Sequence, residues 1–163
     1  MIKTLRLYNF KAFQDTGDIE LKPITVLAGP NSGGKSSIIQ SLLLLKQTLE
    51  TESPAVDLNL DGRFLQFSGL NDLTFCKPPL ENCRLGYQVR IETDVPTKAL
   101  HGYFPDLVMP KGVESLPLQS NIRFSFCCRD LEEGKRQIVM DCFEILSQVE
   151  GLSGPRLTID LNA

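Results

Sequence analysis

The chain has no apolar run fit to cross a membrane. Leu42 to Leu45 is four residues long, far short of the roughly 18 that a bilayer demands. Met1-Ile2-Lys3-Thr4-Leu5 lacks the apolar core and small-residue cleavage site of a secretory signal and reads as a strand. Histidine occurs once, at His101, and no two of the five cysteines (Cys76, Cys83, Cys127, Cys128, Cys142) form a Cys-x-x-Cys pair. That set argues against a structural zinc site. The odd number of thiols predicts reduced cysteines and a cytoplasmic protein. An excess of one charge is missing too. The net charge is −3, with acids and bases interspersed, so no basic stripe announces a nucleic-acid surface, although a local patch is compatible. Internal repeats and low-complexity tracts are also absent. What remains is a chain of 163 residues, 42% hydrophobic, which predicts one globular domain with its own core.

The patterning changes along the chain. Ile2, Leu5, Leu7 and Phe10 mark a first strand ending near Asn9, and Phe10-Lys11-Ala12-Phe13 turns it. Asp18-Ile19-Glu20-Leu21 alternates as a half-exposed strand does. After Pro23, Ile24-Thr25-Val26-Leu27-Ala28 predicts a short strand buried on both faces. Ser36 to about Glu50 predicts a helix. It is rich in Leu, Ile, Lys and Gln, with apolar positions on more than one stripe, and is expected to be buried on several sides until Ser53-Pro54 ends it. Asp61-Gly62 and Ser68-Gly69 predict turns between strand fragments. Four later segments alternate with period two: Leu85–Glu92, Ile122–Cys127, Gln137–Ile145 and Leu157–Leu161. They predict an antiparallel sheet, with a hairpin turn at Glu132-Glu133-Gly134-Lys135 and a long Pro-rich loop over 94–120.

One motif carries chemistry. Gly29-Pro30-Asn31-Ser32-Gly33-Gly34-Lys35-Ser36 meets the spacing G-x-x-x-x-G-K-[ST], between an apolar segment and a helix start. A loop that wraps a polyphosphate must aim backbone N–H groups inward, and glycine permits the required angles and the close approach. The helix start adds unpaired N–H groups and the positive end of its dipole. Gly29, Asn31, Ser32, Gly33 and Gly34 are the expected cradle. Lys35 is expected on the β- and γ-phosphates, Ser36 on Mg²⁺, and Ser37 on the α-phosphate. The expected cofactors are ATP, or another nucleoside triphosphate, and Mg²⁺.

Ile2-Lys3-Thr4-Leu5-Arg6-Leu7-Tyr8-Asn9-Phe10-Lys11-Ala12-Phe13, followed by Ile24 to Ile39 with its Gly-Pro-Asn loop, resembles the start of an ABC-type head ATPase. The similar groups are RecF, the SMC proteins, the OLD nucleases and the bacterial "AAA family" ATPases of phage defence. Leu60-Asp61-Gly62-Arg63-Phe64-Leu65-Gln66-Phe67 is similar to the same group. The resemblance implies an α/β fold leaning to α+β: a P-loop NTPase half-domain, with an antiparallel sheet packed on a P-loop strand and one long buried helix. Residues 1–55 would form the P-loop core and 56–163 the mostly antiparallel part of a single, truncated domain, the N-terminal lobe of a longer ATPase. It also implies that Phe10, Lys11 and Phe13 lie near base and phosphates, whereas their apolar pattern alone reads Phe10 and Phe13 as core. A second head or the rest of the ATPase would be the partner, and DNA is a partner by resemblance only.

Several parts of a complete ATPase site are missing from the sequence. The apolar runs ending in Asp141 and Asp160 are followed by Cys142 and Leu161, not by the Glu of a Walker B strand. Leu152-Ser153-Gly154 is followed by Pro155, which removes an N–H where a signature loop offers one to a γ-phosphate. The γ-phosphate-sensing glutamine stays open among Gln66, Gln88, Gln119, Gln137 and Gln148. Two other readings compete. A small complete P-loop kinase or GTPase lacks support, since the chain has neither an Arg-rich lid nor Asn-Lys-x-Asp. A non-catalytic interaction domain with a vestigial loop is opposed by the intact Gly34, Lys35 and Ser36.

Overall fold

The computed structural model describes residues 1–51, 58–75, 84–99, 112–130, 136–149 and 157–160. The first strand, β1 (Ile2–Phe10), turns through Lys11 and Ala12 into β2 (Phe13–Asp15), and a two-residue strand β3 (Ile19–Glu20) returns along the same edge of β1. Asn9 and Lys11 take positive φ, 55° and 47°, which tightens this turn. A helix, α1 (Lys35–Leu49), follows. The strands β4 (Arg84–Pro96), β5 (Ser115–Asp130), β6 (Arg136–Val149) and β7 (Leu157–Asp160) complete a sheet of order β2-β1-β4-β5-β6-β7, every pair antiparallel. The alternation seen in the sequence is therefore realised as a meander.

One face of the sheet makes the core. Leu5 and Leu7 of β1, Leu85, Tyr87 and Val89 of β4 and Phe126 of β5 are buried with Phe10, Leu44, Leu58, Leu70 and Leu73. Tyr87 stacks on Phe124 at 5.1 Å between centroids, and Phe126 meets both rings edge-on, an arrangement worth more than the area it buries. Complete burial raises the Tyr87 hydroxyl far above its ordinary pKa. The opposite face is polar, with Arg6, Gln88 and Arg123 in cross-strand register.

At the sheet edge, Arg6 donates to Asp15 from Nε at 2.9 Å and Nη2 at 2.6 Å, and the Gly17 amide donates to the same carboxylate. Arg6, then Gly17, lowers the Asp15 carboxyl from 3.8 to about 2. A folded-state pKa below the unfolded one adds stability that is present above the unfolded value and lost as pH falls through the folded value. The chain should therefore lose stability between about pH 4 and pH 2, and Asp15→Asn should flatten that part of a melting-temperature profile.

Three expectations are corrected. Ile24–Ala28 is not a strand. Ile24 and Val26 are 85% and 81% exposed, because no strand among the described residues lies beside the segment to take its hydrogen bonds or cover its side chains. The antiparallel sheet is consequently not packed on a P-loop strand. Second, α1 is fully buried along one stripe, Ser37, Ser41, Leu44 and Gln47; Ile38, Leu42 and Leu45 are half-buried against the core, while Ile39 and Leu49 are exposed. Polar side chains occupy that stripe because they find backbone partners. Ser41 Oγ donates to the Ile38 carbonyl, and the Gln47 amide donates to the Asn59 and Leu65 carbonyls and accepts from the Leu65 amide. Third, the Pro-rich loop is narrower than 94–120. β4 runs through Pro96 and β5 begins at Ser115, with Pro117 opposite Asp94. Among the described residues, pairing of β5 with β6 starts at Leu118, one position after Pro117, which has no N–H to give to a ladder. Ser53-Pro54, the turn at 132–135 and Leu152-Ser153-Gly154 lie outside the described residues. Cys127, Cys128 and Cys142 form no disulfide.

Candidate phosphate-binding site

The loop after Ala28 closes on itself before α1 begins. The Gly33 amide donates to the Pro30 carbonyl at 3.2 Å, and Ser32 takes φ 64° at the corner. Gly29 adopts φ 149°, a region open to glycine and closed to most side chains. Gly34 caps α1 at φ 84° without a side-chain hydrogen bond, and no acidic residue stands in the first turn. The opening amides of α1 are thus left without a side-chain cap and project the positive end of the helix dipole, the condition for an anion site.

A cavity of about 230 Å³ opens here, lined by Ala12, Asn31, Ser32, Gly34, Lys35, Ser36 and Ser37. The structure therefore brings together six of the residues singled out from sequence, with Gly29 and Gly33 shaping the loop behind them. Lys35 Nζ donates to the carbonyls of Gly29 at 2.9 Å and Pro30 at 2.6 Å. The ammonium holds the loop in its curve from inside. Ser36 is exposed, while Ser37 is buried at the edge of the core. Phe13 lies against the loop. A Cβ built on Gly34 would stand 2.3 Å from its ring, so ring and backbone are in direct contact.

The other resemblance-based positions separate. Phe10 is fully buried in the core, where its ring meets Tyr87, so it is closed to a ligand. Lys11 Nζ sits 4.4 Å over the ring of Phe67. Partial burial lowers the pKa of this ammonium, and the nearby Asp72 carboxylate opposes the shift. Ala12, which sequence reasoning did not single out, lines the cavity in its place. The signal for it was the tight Asn-Phe-Lys-x-Phe turn, which pushes the residue after Lys11 toward the loop.

The catalytic complement does not assemble around this cavity. No carboxylate lines it among the described residues. Asp141, one Walker B candidate, is the extra residue of a bulge between β5 and β6. The bulge aims its side chain at Arg84 Nε, 2.5 Å away, and at Ser125 Oγ, 2.6 Å away. Asp160 belongs to the antiparallel edge strand β7. Gln88 accepts from the Tyr8 hydroxyl, and Gln119 and Gln148 face each other across β5 and β6.

The residues present suit a polyphosphate: free amides, a lysine and glycine-dependent turns converge on one cavity. They suit Mg²⁺ in part. This ion keeps most of its water and takes few protein ligands, and Ser36 Oγ is the side chain placed to be one. No group of three acidic, His or Cys side chains that could hold a metal occurs among the described residues, so phosphate oxygens and water would supply the rest of the shell. No helix among the described residues is long and apolar enough to cross a membrane.

Comparison with known protein families gives one finding. A family model described as an AAA ATPase domain matches residues 1–94, a span that holds the opening hairpin, the loop, α1 and most of β4. No curated protein and no solved structure matches the chain.

Proposed function

The chain belongs to the AAA ATPase domain family, and on that premise we propose that it binds ATP with Mg²⁺ at Gly29–Ser37, as one half of an ATPase site. The observation that carries this reading is the convergence of the uncapped start of α1, Lys35 and the exposed Ser36 on a single cavity. The triphosphate lies along the loop amides, with Lys35 released from the Gly29 and Pro30 carbonyls onto the β- and γ-oxygens. Ser36 Oγ joins the Mg²⁺ shell.

Hydrolysis needs a carboxylate to orient water, and none lines the cavity among the described residues. The completing groups come from the remainder of an ATPase or from a second head that closes over the first. The bare segment Ile24–Ala28 is where strands of that remainder add to the fold. By itself the chain binds nucleotide and turns it over poorly or not at all. The resemblance to RecF, SMC, OLD and phage-defence ATPases supports a role in DNA maintenance or anti-phage defence for the assembled machine.

Calorimetric titration tests the core of this reading. ATP should bind the unmutated chain more tightly with Mg²⁺ than with EDTA. Ser36→Ala should erase most of that difference while leaving metal-free binding intact. Absence of any ATP binding would leave a vestigial loop in an interaction domain.

A further inference from the structure

The polar face of the sheet carries side chains that the phosphate site does not use. Residues directly opposite one another on neighbouring strands share a face, with Cβ atoms about 5 Å apart, and every second residue of a strand returns to that face. The register therefore lays the face out row by row. Glu92, Gln119 and Gln148 form one row, Arg90, Asn121 and Leu146 the next, and Gln88, Arg123 and Glu144 a third. A cavity of about 250 Å³ opens over the first two rows, lined by Gln119, Asn121, Leu146, Ser147 and Gln148. None of these side chains is ionisable. Three are carboxamides, each offering donors and an acceptor, and they stand beside the exposed Leu146.

Around this neutral cavity the charges are matched, with one exception. Arg6 is held by Asp15 at 2.6 Å and Asp18 at 3.8 Å, Arg84 by Asp141 at 2.5 Å and Arg123 by Glu144 at 3.5 Å. Lys3 meets Glu92 at 3.0 Å. Arg90 is exposed, sits directly opposite Asn121 in the cavity wall, and makes no ion pair among the described residues. The face thus presents one uncompensated guanidinium beside a group of amides.

We propose that this face docks an extended segment of a partner protein bearing an acidic side chain. The carboxylate accepts two parallel hydrogen bonds from the Arg90 guanidinium. The peptide groups next to it lie over the cavity, where the carboxamides of Gln119, Asn121 and Gln148 accept from their N–H groups and donate to their carbonyls. Leu146 gives the segment an apolar contact. Nucleic acid is the poorer fit. A polyanion binds by having several phosphates neutralised at once, and this face leaves a single cation unmatched among the described residues. A single strand also stacks its bases on aromatic rings, and Tyr8, on this face, already lies beneath the Arg6 guanidinium at 5.0 Å. The proposal holds with or without bound nucleotide.

Arg90 and Asn121 are exposed, so replacing them leaves the core alone. The test follows the amide resonances of the isotope-labelled chain by NMR during titration with acetyl-Ala-Glu-Ala-amide, acetyl-Ala-Gln-Ala-amide, inorganic phosphate and an oligothymidine strand. The glutamate peptide should bind saturably, with a Kd of about 1 mM, and should move the resonances of Arg90, Asn121, Gln119 and Gln148 together. Arg90→Gln should weaken it about tenfold, and Asn121→Ala about threefold. The glutamine peptide should bind at least tenfold more weakly than the glutamate peptide. Equal binding of the two peptides would overturn the proposal, as would unchanged affinity in Arg90→Gln or no saturable shift at these residues. Phosphate binding there as tightly as the glutamate peptide would show a spot for any small anion, and tighter binding of oligothymidine would show a nucleic-acid surface. Either result would overturn the docking of a protein segment.

Discussion

Lys35→Ala should abolish ATP binding while leaving the chain folded. In the unmutated chain, ATP with Mg²⁺ at 100 times its dissociation constant should stabilise the fold by about 2.7 kcal/mol. For a domain of this size each kcal/mol moves the melting temperature by about 2–4 °C, so the shift is read easily by thermal melting. The variant should show none. The reason is electrostatic and geometric at once. Lys35 Nζ is the cation held inside the loop, bonded to the Gly29 and Pro30 carbonyls. Without it the cavity keeps its amides but loses the charge that meets the terminal phosphates. The loss to the empty fold is small, because Lys35 acts at an exposed loop and carries no core packing. A full ligand-induced shift in the variant would show that the nucleotide binds elsewhere.

Gly34→Ala should destabilise the fold itself, by about 2–5 kcal/mol, as the sum of two separable costs. Holding a side chain at φ 84° costs roughly 1–2 kcal/mol. Driving a methyl group into the Phe13 ring, 2.3 Å from the new Cβ, costs a further 1–3 kcal/mol or so. A double-mutant cycle with Phe13→Ala separates them. Removing the ring should recover the packing part and leave the backbone part. Additive losses in chemical denaturation would mean that ring and glycine are not in contact. Nucleotide binding should fall in Gly34→Ala as well, since the same residue sets the direction of the first amides of α1.

How much of this could be read from the sequence follows from the range of each interaction. The phosphate loop was legible because its geometry is local: Gly29 to Ser37 are consecutive, and their turns and helix start are fixed by their own residues. β4 to β7 were legible because period-two alternation in Leu85, Tyr87 and Val89 or in Phe124 and Phe126 records a two-faced sheet directly. Ile24–Ala28 misled because four apolar residues around Thr25 state a need for burial, whereas burial depends on neighbouring strands, and none lies beside the segment among the described residues. The inward stripe of α1 was hidden for the opposite reason. Ser41 and Gln47 read as surface, and only the arrival of Asn59 and Leu65 makes a buried amide tolerable. The bulge that turns Asp141 toward Arg84 likewise has no signature in the residues around it.

The bare stretch from Ile24 to Ala28 also governs how the isolated chain behaves at high concentration. Its backbone donors and acceptors have no ladder among the described residues, and Ile24 and Val26 stand in water. Such a stretch is a template for cross-chain strand pairing, and neither Pro nor a charged residue interrupts it. Lys22 and Pro23 sit just ahead of it as gatekeepers on one flank. On the other flank the phosphate loop begins at once. Nucleotide held there would place negative charge next to the sticky segment, making the proposed ligand a solubilising agent too.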